Sequence, residues 1–224
     1  MNSKRKIIIF IGPPGSGKGS LSNICVEQLE LVQLSTGNLC RKHIAEKTDI
    51  GLAIDMAIKS GQLVSDEIIS SMVNEWLLGQ ENDTILDGYP RTLQQAEALK
   101  ELILKTIPSA DVAIVKLALS DETVINRLSA RVICSNKDCQ AVYSLLKGSL
   151  LKPNNVTKCN KCSGSLLRRP DDEPMAIEER LKSYYNHEQD LLNFYENADL
   201  KVHNLPAERP LSDVFNDLKN ILDL

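Results

Sequence analysis

The sequence predicts an α/β fold: a parallel sheet covered by helices on both faces. Short apolar runs of strand length alternate with stretches of helical spacing along most of the chain. The first run, residues 7–11, is apolar throughout, as a strand buried on both faces requires. A Gly-rich turn then joins that run directly to a helical stretch.

Residues 31–34, 84–86, 112–119 and 201–205 are the other strand candidates, which makes a central sheet of five. Leu21, Ile24, Cys25 and Leu29 share one face of a helix over 17–29. Asp66 has the character of an N-cap for a helix over 67–78, and Thr92 for one over 93–105. The stretch 173–197 opens with Pro174 in its first turn, and 211–222 forms a last helix. This alternation gives helices on both faces of a parallel sheet. Two stretches break it. Residues 35–64 read as helical without a strand, and 130–172 are polar, rich in Lys, Asn, Ser and Gly. Both are expected to be insertions at the rim of the sheet, leaving 1–34, 65–129 and 173–224 as the core. No internal repeat or low-complexity tract interrupts this plan.

Of the 224 residues, 42% are hydrophobic and 25% charged, ordinary values for a soluble protein. No apolar run approaches the ~20 residues of a membrane span. The run 7–11 is too short for the core of a secretion signal and meets Gly12 and Pro13 at once, so a cytoplasmic protein without a membrane partner is expected. A net charge of −4 argues against nucleic acid as a partner. That average hides an asymmetry: from Arg131 to Arg169 eight basic residues meet one acid, Asp138, so the segment is +7 and the remainder −11. A basic insertion in an acidic chain is either a solvated loop or the place where an anionic ligand is met.

Four of the six cysteines, Cys134, Cys139, Cys159 and Cys162, lie in that basic segment, while Cys25 and Cys40 stand apart. In a chain expected to stay in the cytoplasm, such a cluster reads as metal ligands rather than disulfides. Cys134-x4-Cys139 and Cys159-x2-Cys162 fit a tetrahedral four-thiolate zinc site. A closed four-ligand site has no open position for water, so its expected role is structural. It would staple a strand-poor insertion that cannot build a core of its own.

The segment Gly12-Pro13-Pro14-Gly15-Ser16-Gly17-Lys18-Gly19-Ser20 carries the strongest chemistry. Its glycines let successive backbone N–H groups turn inward around phosphate oxygens, and the helix N-terminus adds its positive end. Lys18 supplies a point charge for terminal phosphates, and the Ser20 hydroxyl suits a hydrated magnesium ion. Gly15 to Ser20 are therefore candidate ATP-binding residues of a P-loop protein. Gly19 stands where the common pattern has Ser or Thr.

With that extra glycine, GPPGSGKGS resembles the phosphate loop of the adenylate kinase family, GxPGxGKG[ST]. Ser35-Thr36-Gly37-Asn38-Leu39-Cys40-Arg41 is similar to the family's STGDxxR segment, and Leu86-Asp87-Gly88-Tyr89-Pro90-Arg91 to its LDGFPR segment. Gln95 follows Arg91 at the family's interval, and Arg127, Arg131, Arg169-Pro170-Asp171-Asp172 and Arg180 complete the order. The resemblance covers essentially the whole chain and, through the two cysteine pairs, extends to the bacterial long-lid members with a zinc-binding lid.

The resemblance implies a P-loop kinase that transfers a phosphoryl group reversibly between ATP and AMP, giving two ADP on magnesium and keeping adenine nucleotides in balance. It implies that 35–64 is an AMP-binding flap and 130–172 a lid. Thr36, Arg41 and the backbone of Gln62, Leu63 and Val64 would line the AMP site. Gly88, Tyr89, Pro90, Arg91 and Gln95 would continue it, and Arg169 and Arg180 would reach it. Arg91 would clamp the AMP phosphate and Gln95 read the adenine edge. Arg127, Arg131, Val142, Tyr143 and Arg209 would border ATP. Lys18, Arg91, Arg131, Arg169, Arg180 and Asp87 would carry catalysis, Asp87 near the waters of magnesium. A monomer is implied. Such a list of cations is sensible, because phosphoryl transfer needs positioning and charge neutralisation more than covalent help. The second phosphate pKa of AMP is ~6, so no general base is needed, and His43, His187 and His203 are expected to be structural or surface groups. Asn38 departs from the family's aspartate and removes a charge expected near the metal's waters. A kinase for UMP or CMP is the alternative that Thr36, Gln95 and the long lid argue against. A non-catalytic P-loop nucleotide sensor is the one that the full set of cations argues against.

Overall fold

Five of the six residues of β1, Lys6–Ile11, are buried. A strand with no side chain for water must have neighbours on both edges and cover on both faces. The protein is described here by a computed structural model over residues 4–59 and 64–224. After β1 come α1 (Lys18–Leu29), β2 (Val32–Ser35), α2 (Thr36–Glu46), α3 (Asp49–Lys59), α4 (Asp66–Leu78), β3 (Thr84–Asp87), α5 (Leu93–Thr106) and β4 (Asp111–Ala118). Next are α6 (Asp121–Ser129), β5 (Arg131–Cys134), β6 (Val142–Ser144), β7 (Leu166–Leu167), a 3-10 turn at Pro170–Asp172, α7 (Pro174–Asn197), β8 (Val202–Pro206) and α8 (Leu211–Leu222). Among the described residues no helix is long and apolar enough to cross a membrane.

The described residues divide into two compact units. The larger takes the chain up to Gly12, then Gly17–Ala118 and Asn186–Leu224. It holds a five-stranded sheet in the order β2-β3-β1-β4-β8, every pairing parallel. Ile8 and Phe10 of β1 pack with Leu21 and Cys25 of α1 and with Val214, Phe215, Leu218 and Leu222 of α8. Those four α8 residues recur at helical spacing, which is why that helix lays one stripe on the sheet. Burying each such side chain contributes roughly 1.5–3 kcal/mol. Elsewhere in the unit α5 buries Ala96, Leu99 and Ile103, and α4 buries Met72, Val73 and Leu77.

The smaller unit takes Pro13–Ser16 and Leu119–Tyr185. In it Val124 and Leu128 of α6 pack on Ile177 and Leu181 of α7. β5 lies between β6 and β7 in an antiparallel sheet of three strands.

Three local expectations need correction. The N-cap of α4 is Ser65, whose Oγ accepts the Ile68 N–H at 3.4 Å, so Asp66 is the first helical residue and its carboxylate is available for other bonds. Helix α6 has no counterpart in the sequence reading, because its two buried residues, Val124 and Leu128, form a single pair four apart rather than a visible period. The segment 130–172 is neither strand-poor nor without a core: Val132 and Tyr143 pack with Cys134 and Cys159. Its strands of two to four residues are too short for alternation to show in sequence.

Helices α2 and α3 meet closely at Gly51, where an added Cβ would stand 2.0 Å from the backbone oxygen of His43. Replacing Gly by Ala within a helix normally gains up to ~1 kcal/mol. Here the clash is with backbone, and the sign reverses. Gly51→Ala is expected to cost ~1–3 kcal/mol, the usual scale of overpacking, read as a lower midpoint in chemical denaturation. A variant as stable as the parent would show that the two helices part freely.

Candidate active site

The turn from β1 to α1 bends at Gly12, Gly15 and Gly17, all at positive φ. Gly17 caps α1 with no side-chain cap bond, a helix start suited to an anion. The Lys18 ammonium donates to the Gly12 carbonyl at 2.7 Å. Asp87, the last residue of β3, lies against the first turn of α1: a Cβ on Gly19 would be 3.3 Å from its Oδ2. That proximity explains the extra glycine, with the hydroxyl of the pattern displaced to Ser20. Asp87 also accepts from Gln33 Nε2 at 3.3 Å.

A second set of groups surrounds Gly88. The Gly88 carbonyl accepts from Thr36 Oγ1 at 2.8 Å and from Arg91 Nε at 2.8 Å. Gly88 sits at φ 82, and a Cβ there would lie 3.0 Å from both Thr36 Oγ1 and Arg91 Nη2, so only glycine lets these side chains approach. Arg41 bonds the amide oxygen of Asn38 through Nη2. Burial pushes the Cys40 thiol up, opposed by the nearby guanidinium groups of Arg91 and Arg41. Tyr89, fully buried ahead of a cis bond to Pro90, donates its one proton to the Gln95 carbonyl at 3.2 Å and shares a 3.0 Å hydrogen bond with the Ser70 hydroxyl. Gln95 is also buried. Its Oε1 accepts the Arg91 N–H at 2.8 Å, and its Nε2 donates to Asp66 Oδ1 at 2.6 Å. Val64 lines an open cavity of about 500 Å³ with Asp66, Thr92, Gln94 and His187 among others. Gln62 and Leu63 lie outside the described residues.

In the smaller unit, Arg127 Nη1 donates to the Ser16 carbonyl at 3.3 Å. Arg131 grips Asp172 with two bonds, Nε to Oδ2 at 2.8 Å and Nη2 to Oδ1 at 2.5 Å. Arg180 Nη1 reaches the same carboxylate at 3.3 Å and Asp171 Oδ2 at 3.0 Å. Arg169 caps the 3-10 turn that carries both aspartates. Asp172 thus gathers two of the expected cations, a role the sequence reading did not give it. The available signal was an acid placed directly after Arg169-Pro170. Arg209 is set apart: it pairs with Asp217 of α8 in the larger unit, both side chains well exposed.

The four cysteines come together. Cys134 Sγ is 3.3 Å from Cys162 Sγ, Cys139 Sγ is 3.6 Å from Cys159 Sγ, and all four sulfurs lie within 4.8 Å of one another. A tetrahedral zinc with ~2.3 Å bonds sets its sulfurs ~3.8 Å apart, so the donor set fits that ion. Burial pushes the Cys134 thiol up to about 12. Burial opposes ionisation of Cys159 as well, but the Tyr143 hydroxyl and the N–H groups of Cys162 and Lys161 outweigh it and bring that thiol down to about 6. Tyr143 faces inward, its hydroxyl 3.2 Å from Cys159 Sγ and accepting the Asn160 N–H at 2.9 Å. Donors to ligand sulfur of this kind orient and tune a metal site.

Residues 10–200 match the model of the family described as Adenylate kinase. The chain belongs to the adenylate kinase family. A relative from Treponema denticola named Adenylate kinase is 40% identical over 209 residues, 92% of this chain and 93% of that one. Another so named, from Mesomycoplasma hyopneumoniae strain J, is 38% identical over 99% of this chain and all of its own. One from Archaeoglobus fulgidus is 33% identical over 96% of this chain and 97% of its own. The segment of adenylate kinase likeness contains the phosphate loop, the Gly88 cluster, the Asp172 cluster and all four sulfurs, while Arg209 falls beyond it.

Asp172 is almost fully buried between its guanidinium partners. Removing it takes the carboxylate from the largely buried Arg131, while Arg180 keeps Asp171, and breaking a buried pair from one side costs ~3–5 kcal/mol in general. Asp172→Ala should therefore lower the melting temperature clearly in calorimetry. A variant that melts like the parent would mean that other contacts hold Arg131 and Arg180.

Proposed function

We propose that this family member catalyses reversible phosphoryl transfer between ATP and AMP, forming two ADP, and so acts as a phosphotransferase with a phosphate acceptor. The observation that carries this reading is the convergence of Thr36 and Arg91 on the Gly88 carbonyl, with Gln95 bonded to Arg91. A clamp for a monophosphate and a buried amide for its base would then follow directly on Asp87, the residue that touches the first turn of α1.

In this reading Arg91 holds the AMP phosphate and Gln95 faces the adenine, while Thr36, Arg41, Val64, Tyr89 and Pro90 shape the pocket. Lys18 and the backbone N–H groups of 15–20 cradle ATP. Arg127, Arg131, Arg169 and Arg180 neutralise phosphate charge as it shifts, which is the main demand of this chemistry. Val142 and Tyr143 border ATP through their backbone, since the Tyr143 hydroxyl is engaged at the sulfurs. Arg209 is a further ATP contact in this reading, reached once it leaves Asp217. The attacking phosphate is already ionised, so no side chain need take a proton. Magnesium, when bound, supplies charge neutralisation at the phosphates. The Ser20 hydroxyl and the Asp87 carboxylate are the hard oxygen donors that suit it and its waters. Asn38, which stands where the family has aspartate, meets Arg41 through a neutral amide oxygen.

We read 35–64 as the AMP flap and 130–172 as a lid, moving against the core of 1–34, 65–129 and 173–224 to admit the nucleotides and then exclude water. A zinc held by Cys134, Cys139, Cys159 and Cys162 would be structural. We read the protein as a cytoplasmic monomer without a membrane partner, and the net charge of −4 argues against a nucleic-acid partner.

A coupled ADP assay with AMP, GMP, CMP and UMP as acceptors should show strong preference for AMP, and Arg91→Ala should lose at least ~10²-fold in turnover, the scale of one preorganised donor. Equal use of CMP or UMP, or an Arg91 variant within a few-fold of the parent, would reject these assignments. Metal analysis should find about one zinc per chain, as a single four-ligand site holds. Stripping it should lower the melting temperature before it lowers activity at moderate temperature, because bound metal contributes to folding. Loss of catalysis with melting unchanged would reject the structural role.

A further inference from the structure

A glutamine reads a base only if something decides which end of its amide points which way. Half a turn about its last bond exchanges a donor for an acceptor with almost no change of shape. The Watson–Crick edge of adenine offers an acceptor at N1 beside a donor at N6. Guanine and hypoxanthine offer the reverse, a donor at N1 beside the O6 acceptor. A glutamine free to flip would satisfy both.

Here the flip is fixed from both ends. Oε1 of Gln95 accepts the Arg91 backbone N–H at 2.8 Å, and that group can only donate. Nε2 donates to Asp66 Oδ1 at 2.6 Å, and an ionised carboxylate can only accept. Reversal would press Oε1 on the carboxylate and the amino group on an N–H, inside a side chain only 4% exposed. Unmade bonds at a buried polar group are costly.

Asp66 is itself held in place. Thr92 Oγ1 accepts the Gln95 N–H at 3.2 Å, so its one proton goes to Asp66 Oδ2, at 2.6 Å. Because Ser65 caps α4, the Asp66 carboxylate is directed across to α5 rather than into its own helix end. The ring Asp66–Thr92–Gln95 is closed, and after these bonds the Gln95 amide keeps one N–H and one lone pair for a ligand.

We propose that Asp66 is a specificity-determining positioning residue. By holding the Gln95 amide in one flip state it makes the acceptor site take the adenine polarity and refuse the opposite one. This rests on the reading above that Gln95 faces the base.

The test compares AMP with inosine monophosphate, which carries the guanine polarity without the 2-amino group, so size does not confuse the result. The parent enzyme should favour AMP by at least ~10²-fold in kcat/KM, as sites that leave a buried polar group unpaired do. Asp66→Asn puts a side chain that donates or accepts where only acceptance was possible. It should shrink the AMP-to-inosine monophosphate ratio by roughly tenfold or more, whereas Asp66→Glu should keep the ratio near that of the parent. Near-equal use of both acceptors by the parent overturns the proposal, whether or not the Asn variant folds. An Asn variant that loses activity with an unchanged ratio overturns it too, since a merely structural role would act in that way. Gln95→Ala separates the two layers. If it collapses the ratio and Asp66→Asn does not, the lock alone is wrong. If it leaves the ratio intact, Gln95 does not read the base, and both readings fall.

Discussion

β1 has almost no surface that tolerates water, and most of the larger unit is arranged by that constraint. The strand must run between β3 and β4 and under helices on both faces, so its neighbours must be parallel and return by helical crossovers. Parallel strands end together. Phe10 is level with Asp87, and Ser35 is level with Asp87 on the other side. The chain therefore leaves three adjacent strands at one edge, through Gly12, Thr36 and Gly88. That edge is where α/β sheets bind ligands. The Gly88 cluster and the first turn of α1 meet Asp87 because the sheet register leaves them nowhere else to start.

The proposed chemistry asks for cations held still, and the two units hold them by different means. In the larger unit backbone oxygens do it: Lys18 rests on the Gly12 carbonyl and Arg91 on that of Gly88. A carbonyl orients a cation without itself neutralising it. In the smaller unit a carboxylate, Asp172, holds Arg131 and Arg180. Asp171 pairs with Arg180 as well, so the cluster balances two guanidinium groups with two carboxylates, and the bidentate grip of Asp172 fixes the plane of Arg131.

The parallel sheet was legible because buried strands are apolar without interruption: all five candidate runs became strands, with ends displaced by a residue or so, as at Val32–Ser35 against the expected 31–34. The lid sheet was not legible, since strands as short as Leu166–Leu167 have no period to read and half of the small core they enclose is sulfur. At the site, residue identities were legible and their partners were not. Thr36, Arg91, Gln95 and the cysteines stand out in sequence as types at fixed intervals. That the amide of Gln95 meets Asp66, 29 residues away, or that Arg131 meets Asp172, 41 away, depends on how loops return to the same place. Sequence spacing carries no trace of such closure. Asp66 even had a plausible local use as a helix cap, which Ser65 filled instead.

Asp66 and Asp172 then share a logic. Neither is proposed to touch a nucleotide, and each bonds a group whose orientation the chemistry depends on, Gln95 at Asp66 and Arg131 and Arg180 at Asp172. A transition state is stabilised by donors already aimed at it, because reorientation during reaction consumes the electrostatic gain. Long side chains such as Arg and Gln have several rotamers and need a rigid acceptor to choose among them. A buried carboxylate is well suited, being short, acceptor-only and able to bond two partners at once. Both oxygens are satisfied in each case, at the half-buried Asp66 by Thr92 and Gln95 and at the buried Asp172 by Arg131 and Arg180, and at Asp172 that is what makes burial tolerable. At Asp172 loss of a partner would leave a desolvated charge, and at Asp66 it would leave the buried Gln95 amide without its acceptor, so the orienting groups and the groups they orient depend on one another.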